Sequence, residues 1–117
     1  MSIFNQDELA YLLAEPKLAR IATVGADGTP HVTPVGWSLD TAQEVVEVGG
    51  INLASTKKFR DVARTGRAAL VIDDLASVHP WRPRGVEIRG RGEAIVDPEP
   101  RIRIHPERVI SWGLDIQ

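Results

Sequence analysis

Hydrophobic and polar residues alternate along several short segments, the pattern that predicts β-strands with one buried face. The stretches between these segments are rich in Pro, Gly, Asn and Asp, which are typical of turns. The clearest alternation covers residues 85–96, where Val86 and Ile88 fall on one face while Glu87 and Arg89 fall on the other. The pattern therefore indicates a mainly β chain.

Six strands follow from the whole pattern. They are predicted over residues 18–25, 29–37, 44–53, 67–73, 85–96 and 108–114. Residues 74–84 are expected to form a loop. Pro30 and Pro34 place the second strand at an edge or in irregular pairing, because proline cannot donate to a β-ladder.

Two short helices complete the predicted elements. The first begins at a capping-box-like Asn5 and stops before Pro16. The second is expected over residues 56–64, with Ser55 as its N-cap and Gly66 after its end. Closely spaced strands with glycine kinks favour a small barrel over a layered sheet.

Composition limits the class of protein. The 117 residues suit a single domain spanning residues 1–117, and 43% hydrophobic with 26% charged content is typical of a globular protein. No apolar run approaches the roughly 20 residues that span a bilayer. The absence of cysteine excludes disulfides and thiolate metal ligands. We expect a cytoplasmic protein with no membrane partner.

The charge is unevenly distributed. Residues 57–91 carry nine basic and four acidic residues, a net charge of +5, whereas the remainder has a net charge of −7. A nucleic-acid binder is usually basic overall, so no nucleic-acid partner is expected. The basic sector indicates either one local anion site or a solvated charged face.

Few residues carry a recognisable chemical motif. His31, His79 and His105 have no further ligand at metal-binding spacing, so no metal site is predicted and each is expected on the surface or in a loop. No glycine-rich phosphate loop and no nucleophile elbow occurs in the sequence. The sequence therefore argues against hydrolase and kinase chemistry.

The start of the second helix is the exception. Its first turn holds Lys57, Lys58 and Arg60, although a helix N-terminus already carries partial positive charge. Free N–H groups, the hydroxyls of Ser55 and Thr56 and two lysines together make a phosphate or carboxylate site. The alternative is a lysine-rich helix end in solvent.

The order of the motifs resembles a known family. The segments "LARIATVGADGTPHVTPVGW", "INLASTKKFRDVARTGRAALVID" and "RGVEIRGRGEAIV" are similar in sequence and order to the pyridoxamine 5′-phosphate oxidase-like superfamily. The resemblance implies a six-stranded antiparallel split β-barrel with two to three short helices. It also implies a homodimer with two cofactors at the interface. The ending "IRIHPERVISWGLD" resembles a branch that uses the deazaflavin coenzyme F420.

The resemblance assigns site residues to this chain. The cofactor ring would lie along Thr33, Pro34, Val35 and Gly36. The anionic tail would be held at the start of the second helix by these residues: Ser55, Thr56, Lys57, Lys58 and Arg60. Trp37 and Trp81 would wall the substrate pocket, and a place in the core or at the dimer interface is the equal alternative for each.

Departures from the family shift the expected cofactor. Thr33 and Ser38 stand where the oxidase has an arginine and a lysine, and Gly85 stands where it has a glutamine. The absence of that arginine, lysine and glutamine argues against pyridoxamine phosphate oxidation and favours F420 over FMN. The resemblance thus implies an oxidoreductase that transfers a hydride between F420 and a small organic substrate. The alternatives are an FMN-dependent oxidoreductase and a binding protein without turnover.

Overall fold

The computed structural model describes residues 2–115, so Met1, Ile116 and Gln117 of the predicted domain lie outside the described residues. The elements follow in this order: α1 (Gln6–Leu13), β1 (Ala19–Val24), β2 (Pro30–Asp40), β3 (Val45–Gly49), a single 3-10 turn (Leu53–Ser55), α2 (Lys57–Thr65), β4 (Arg67–Ser77), β5 (Arg82–Ile95) and β6 (Arg101–Trp112).

The six strands form a closed antiparallel barrel with the strand order β1-β2-β3-β6-β5-β4. This confirms the mainly β, six-stranded architecture and its two to three short helices. Alternate residues of the strands point into the core, and the largest fully buried strand residues are Ile21, Val46, Val48, Leu70, Ile72, Val86, Ile88, Ile102 and Ile104. Each such burial contributes about 1.5–3 kcal/mol.

The pairing of β2 explains its two prolines. Residues 30–35 pair with β1, and residues 36–40 pair with β3, so each half of the strand is paired on one side. Pro30 and Pro34 both lie in the first half. Each proline lacks a backbone N–H donor, and this half of β2 is hydrogen-bonded to β1 alone. The prediction of irregular pairing is therefore confirmed.

The loop predicted over residues 74–84 is wrong for most of its length. β4 continues to Ser77 and β5 begins at Arg82, so the two strands form a long hairpin. Asp74 lies opposite Arg84, and their carboxylate and guanidinium are 2.7 Å apart. A bulge between Leu75 and Ser77 shifts the register beside Pro83, which lets a proline occupy the strand.

The last strand is also longer than predicted. β6 begins at Arg101 and ends at Trp112, whereas the alternation predicted 108–114. The register between β5 and β6 shifts beside Gly90, which lies opposite Pro106. This shift lets β6 continue through the proline, which had interrupted the alternation in the sequence. β3 is shorter than predicted, because the chain leaves the sheet after Gly49.

The start of α1 and the end of α2 are as expected. Asn5 and Glu8 form a reciprocal capping box at the start of α1. α2 packs against β1 and β5 and buries Phe59 and Val62. It ends at Gly66, whose φ of 68° is left-handed and suits glycine. Across residues 2–115 no helix is long and apolar enough to cross a membrane.

Candidate functional site

The start of α2 is capped by Thr56, not by Ser55. The Thr56 hydroxyl accepts from the Phe59 N–H at 3.4 Å and donates to the Leu53 carbonyl at 2.6 Å. Ser55 lies in the preceding 3-10 turn, and its hydroxyl donates to the Asn52 carbonyl at 2.9 Å. The prediction was off by one residue, because the extra 3-10 turn delays the start of the helix.

The capping leaves the Lys57 and Lys58 backbone N–H groups without intrahelical partners. Neither lysine side chain forms an ion pair within the part of the chain that the structure describes. The positive charge of Lys57 acts on the carboxyl group of Asp27. Its pKa lies below its usual range, mainly through hydrogen bonds from Thr29 and to a smaller degree through Lys57.

These two lysines line a groove between the start of α2 and the first hairpin. The groove encloses about 400 Å³. Its other wall comes from β1 and β2 and consists of Ile21, Thr23, Pro30, His31, Val32 and Thr33. The structure thus brings together three of the predicted cofactor residues: Thr33, Lys57 and Lys58. We call this space the lysine groove.

Arg60 does not line the lysine groove. Its guanidinium donates to the Ser55 carbonyl at 2.9 Å, so the side chain folds back over the 3-10 turn. The hydroxyls of Ser55 and Thr56 are likewise engaged with backbone carbonyls. Among the residues predicted at the helix start, Lys57 and Lys58 are therefore the ones presented to a ligand.

The other predicted ring residues, Pro34, Val35 and Gly36, do not line the lysine groove. Val35 is buried in the barrel core, and Pro34 is exposed. Gly36 and Trp37 line a separate groove of about 500 Å³, together with Glu47 and Arg101. A Cβ added at Gly36 would meet no atom within 4 Å, so a ligand has free access to the backbone there.

The two tryptophans differ in exposure. Trp37 is half-buried against the core, and its indole N–H donates to the Lys17 carbonyl at 2.7 Å. Trp81 is 67% exposed at the turn between β4 and β5 and lines neither groove. Within this one chain the two rings do not form a common pocket.

Sequence reasoning missed a polar cluster behind the lysine groove. Asp61 of α2 is only 2% exposed. Its Oδ2 accepts from the Thr23 hydroxyl at 2.9 Å and lies 3.1 Å from His31 Nδ1, while Oδ1 lies 3.4 Å from Arg64. Burial raises the pKa of Asp61, but the hydrogen bonds from His31 and Thr23 and the charge of Arg64 outweigh it and hold that pKa below its usual range. Asp61 is therefore a charged carboxylate under the start of the helix.

The structure places two of the histidines in strands. His31 lies in β2 and His105 in β6 beside Glu93, so neither lies in a loop, and each side chain is partly exposed at the surface. His79 is exposed in the hairpin turn, as predicted. Within residues 2–115 no group of three or more potential ligands is arranged to hold a metal ion.

Comparison with known proteins gives the family. The sequence model of the pyridoxamine 5′-phosphate oxidase family matches residues 6–112. The chain belongs to this family. The match covers all six strands and both helices of the barrel.

One relative of this chain is a 5a,11a-dehydrotetracycline/5a,11a-dehydrooxytetracycline reductase from Streptomyces rimosus. It is 36% identical over 121 aligned positions, which cover 96% of this chain and 84% of the relative. The alignment thus includes both grooves and the Asp61 cluster.

Solved structures share the family's fold. A conserved hypothetical protein from Mycobacterium tuberculosis superposes with a TM-score of 0.73 at 19% identity, covering 96% of this chain and 86% of the other. An F420 reductase superposes with a TM-score of 0.67 at 20% identity, covering 86% and 94%. An FAD-binding protein from Mycobacterium smegmatis has a TM-score of 0.68 at 20% identity, covering 92% and 93%. At these identities the likeness concerns the barrel fold.

Proposed function

We propose that this protein is an F420-dependent oxidoreductase that transfers a hydride between the deazaflavin and a small organic substrate. The observation that carries the proposal is the relative named as a reductase, which is 36% identical across 96% of this chain. Oxidoreductase chemistry is the broader part of the proposal, and F420 is the narrower part. FMN is the alternative cofactor, and cofactor binding without turnover is the alternative function.

The residues of the lysine groove fit the anionic part of such a cofactor. Lys57 and Lys58 offer two ammonium groups and two helix N–H groups, the donors that phosphate oxygens require. The groove volume of about 400 Å³ suits part of a large ligand, with the remainder outside. Thr33 adds a hydroxyl on the opposite wall.

The protein's share of the chemistry is binding and orientation. When bound, the cofactor supplies the hydride that is transferred to an electron-poor C=C or C=O. Lys57 and Lys58 hold the tail, and Gly36 lets the ring approach the backbone of β2 because no side chain covers it. We propose that solvent water supplies the accompanying proton.

We also propose that the protein acts as a homodimer, as the resemblance implies. Several apolar side chains of the barrel are solvent-exposed: Val32 of β2 at 66%, Val24 of β1 at 46% and Trp112 of β6 at 38%. Burying such side chains against a second copy would stabilise the pair. Light scattering on the purified protein tests this, and a monomeric mass at micromolar concentration would exclude it.

The cofactor proposal is tested by titrating the purified protein with F420 and, separately, with FMN. Lys57→Ala combined with Lys58→Ala should weaken F420 binding by about 30–150-fold, since two charge-assisted contacts at about 1–1.5 kcal/mol each sum to about 2–3 kcal/mol. Arg108→Ala removes an exposed cation of β6 and should leave the affinity unchanged. Unchanged affinity in the double variant would refute the tail site.

The outcomes separate the alternatives. Tight FMN binding without F420 binding would replace the leading proposal by the flavin alternative. Turnover is then measured with reduced cofactor and a panel of enones and quinones. The first substrate tested is 5a,11a-dehydrotetracycline, because the relative from Streptomyces rimosus is named as its reductase. Cofactor binding with no turnover across the panel would favour the binding-protein alternative. Binding of neither cofactor would reject the proposed function.

A further inference from the structure

The buried carboxylate behind the lysine groove joins three elements. Asp61 comes from α2, Thr23 from β1 and His31 from β2, and both strand residues reach the same oxygen, Oδ2. Removing an ionised carboxylate from water is unfavourable unless it is paired and hydrogen-bonded. Apolar contacts alone could hold the helix on this sheet. Packing therefore does not account for the buried carboxylate, which indicates a further role.

One effect of the cluster is to fix the imidazole of His31. Asp61 is ionised and has no proton to give, so His31 Nδ1–H must be the donor in their 3.1 Å contact. This leaves Nε2 as the second ring nitrogen, and it has no hydrogen-bond partner within residues 2–115. The side chain is 29% exposed and lines the groove together with Lys57 and Lys58.

A second restraint acts on the ring from its Cε1 side. A Cβ built on Gly25 would lie 2.6 Å from His31 Cε1, closer than two such atoms can approach. Only glycine at this position leaves the ring where it is. The imidazole is therefore held by Asp61 on one side and by the close approach of Gly25 on another, which is the kind of preorganisation that ligand-binding groups need.

We propose that His31 is a further anion-binding residue of the lysine groove and that Asp61 is its positioning residue. The proposal rests on the proposed function, in which the groove holds the phosphorylated tail of the cofactor. With Nδ1–H bound to Asp61, the ring takes up a second proton as the anion binds, and the resulting Nε2–H donates to a phosphate oxygen from the strand wall. Lys57 and Lys58 approach the same anion from the helix wall. The ligand chemistry is a phosphomonoester or phosphodiester.

The test compares cofactors with and without the phosphorylated tail. His31→Gln should weaken the binding of FMN or F420 by about tenfold, the size of one lost charge-assisted hydrogen bond. It should leave the affinity for riboflavin, or for the tail-less deazaflavin chromophore, unchanged. His79→Gln removes an exposed histidine of the hairpin turn and serves as the matched control.

Asp61→Asn tests the positioning role. Asparagine keeps the size and can still accept from Nδ1–H, but it no longer stabilises an imidazolium, so the tail-dependent affinity should fall while tail-less binding persists. Arg64→Gln removes another partner of Asp61, one that lies outside the lysine groove, and should lower Tm without changing the tail-dependent difference. This separates positioning from a purely structural role, in which all ligands would lose affinity together.

A third readout needs no cofactor. Addition of inorganic phosphate should shift the ring ¹⁵N resonances of His31 in the wild-type protein and leave those of His79 unchanged. Absence of a His31 shift, or equal losses for tailed and tail-less ligands in His31→Gln, would overturn the inference. If neither cofactor binds the wild type, the proposed function fails, whereas a His31 response to phosphate would still support the anion site.

Discussion

Gly90 offers a sharp test of the barrel, because the neighbouring strand passes directly over it. A Cβ added at Gly90 would lie 2.0 Å from the His105 carbonyl oxygen and 2.8 Å from the carbonyl carbon. Both atoms belong to the backbone of β6 at the register shift. The strand would have to move by about 1 Å even to reach 3.0 Å, the closest separation that real Cβ atoms show.

The expected cost of Gly90→Ala follows from this displacement. Overpacking a close-packed interior costs about 1–3 kcal/mol. Moving β6 also breaks about two ladder hydrogen bonds at about 1 kcal/mol each. The sum is about 3–5 kcal/mol, which lowers Tm by about 12–20 °C at about 4 °C per kcal/mol for a domain of this size.

Thermal unfolding followed by circular dichroism, with urea unfolding as a second measurement, checks this value. Gly49→Ala is the matched control, since a Cβ there meets no atom within 4 Å and should change stability by less than about 1 kcal/mol. If Gly90→Ala does not fold, Gly92→Ala provides a second test of close packing on β5. Its Cβ would meet the buried Val62 Cγ1 at 2.9 Å, a contact with a side chain and not with the backbone, so about 1–3 kcal/mol is expected. A Gly90→Ala protein as stable as the wild type would refute the close approach.

Two further predictions concern the helix start and acid stability. Thr56→Ala should cost about 1 kcal/mol through loss of the N-cap, whereas Ser55→Ala should be nearly neutral; the reverse order in thermal melts would restore Ser55 as the cap. The Arg84 hydrogen bond holds the pKa of Asp74 below its ordinary value of 3.8. This stabilisation is complete above that value and is lost as the pH falls through the lower folded pKa, so the stability difference between the wild type and Asp74→Asn should shrink from pH 6 to pH 3 in urea unfolding. A constant difference across that range would contradict the assignment.

The barrel was predictable because its signals are local. Alternation identified the strands, and the capping box identified the start of α1. The second half of the 74–84 segment and the first half of β6 were missed for a shared reason: Pro83 and Pro106 interrupt the pattern, and bulges that absorb a proline depend on the partner strand. Ile102 and Ile104, both buried, carried an alternation that the flanking prolines obscured.

The candidate site was predictable only in part. Lys57 and Lys58 stood out because cations are unexpected at a positive helix end. A turn around residues 25–29 would have paired Thr23 with His31, as it does in the hairpin. Asp61 had no such signal, because its partners lie 38 and 30 residues away in sequence. The convergence of a helix and two strands on one carboxylate is a tertiary property that local periodicity does not encode.

The charges around α2 show why the helix tolerates its basic start. Arg60 donates to the Ser55 carbonyl, so its side chain folds back over the 3-10 turn, and Lys57 and Lys58 are the cations that face the groove. Asp61, buried one turn further on, places a negative charge beneath them but is itself engaged with Arg64 and His31. With Asp61 already matched, the two lysines face the groove without a carboxylate in ion-pair contact among residues 2–115. An incoming anion would therefore relieve repulsion as well as form contacts, and added salt should weaken its binding and stabilise the free protein by the same screening.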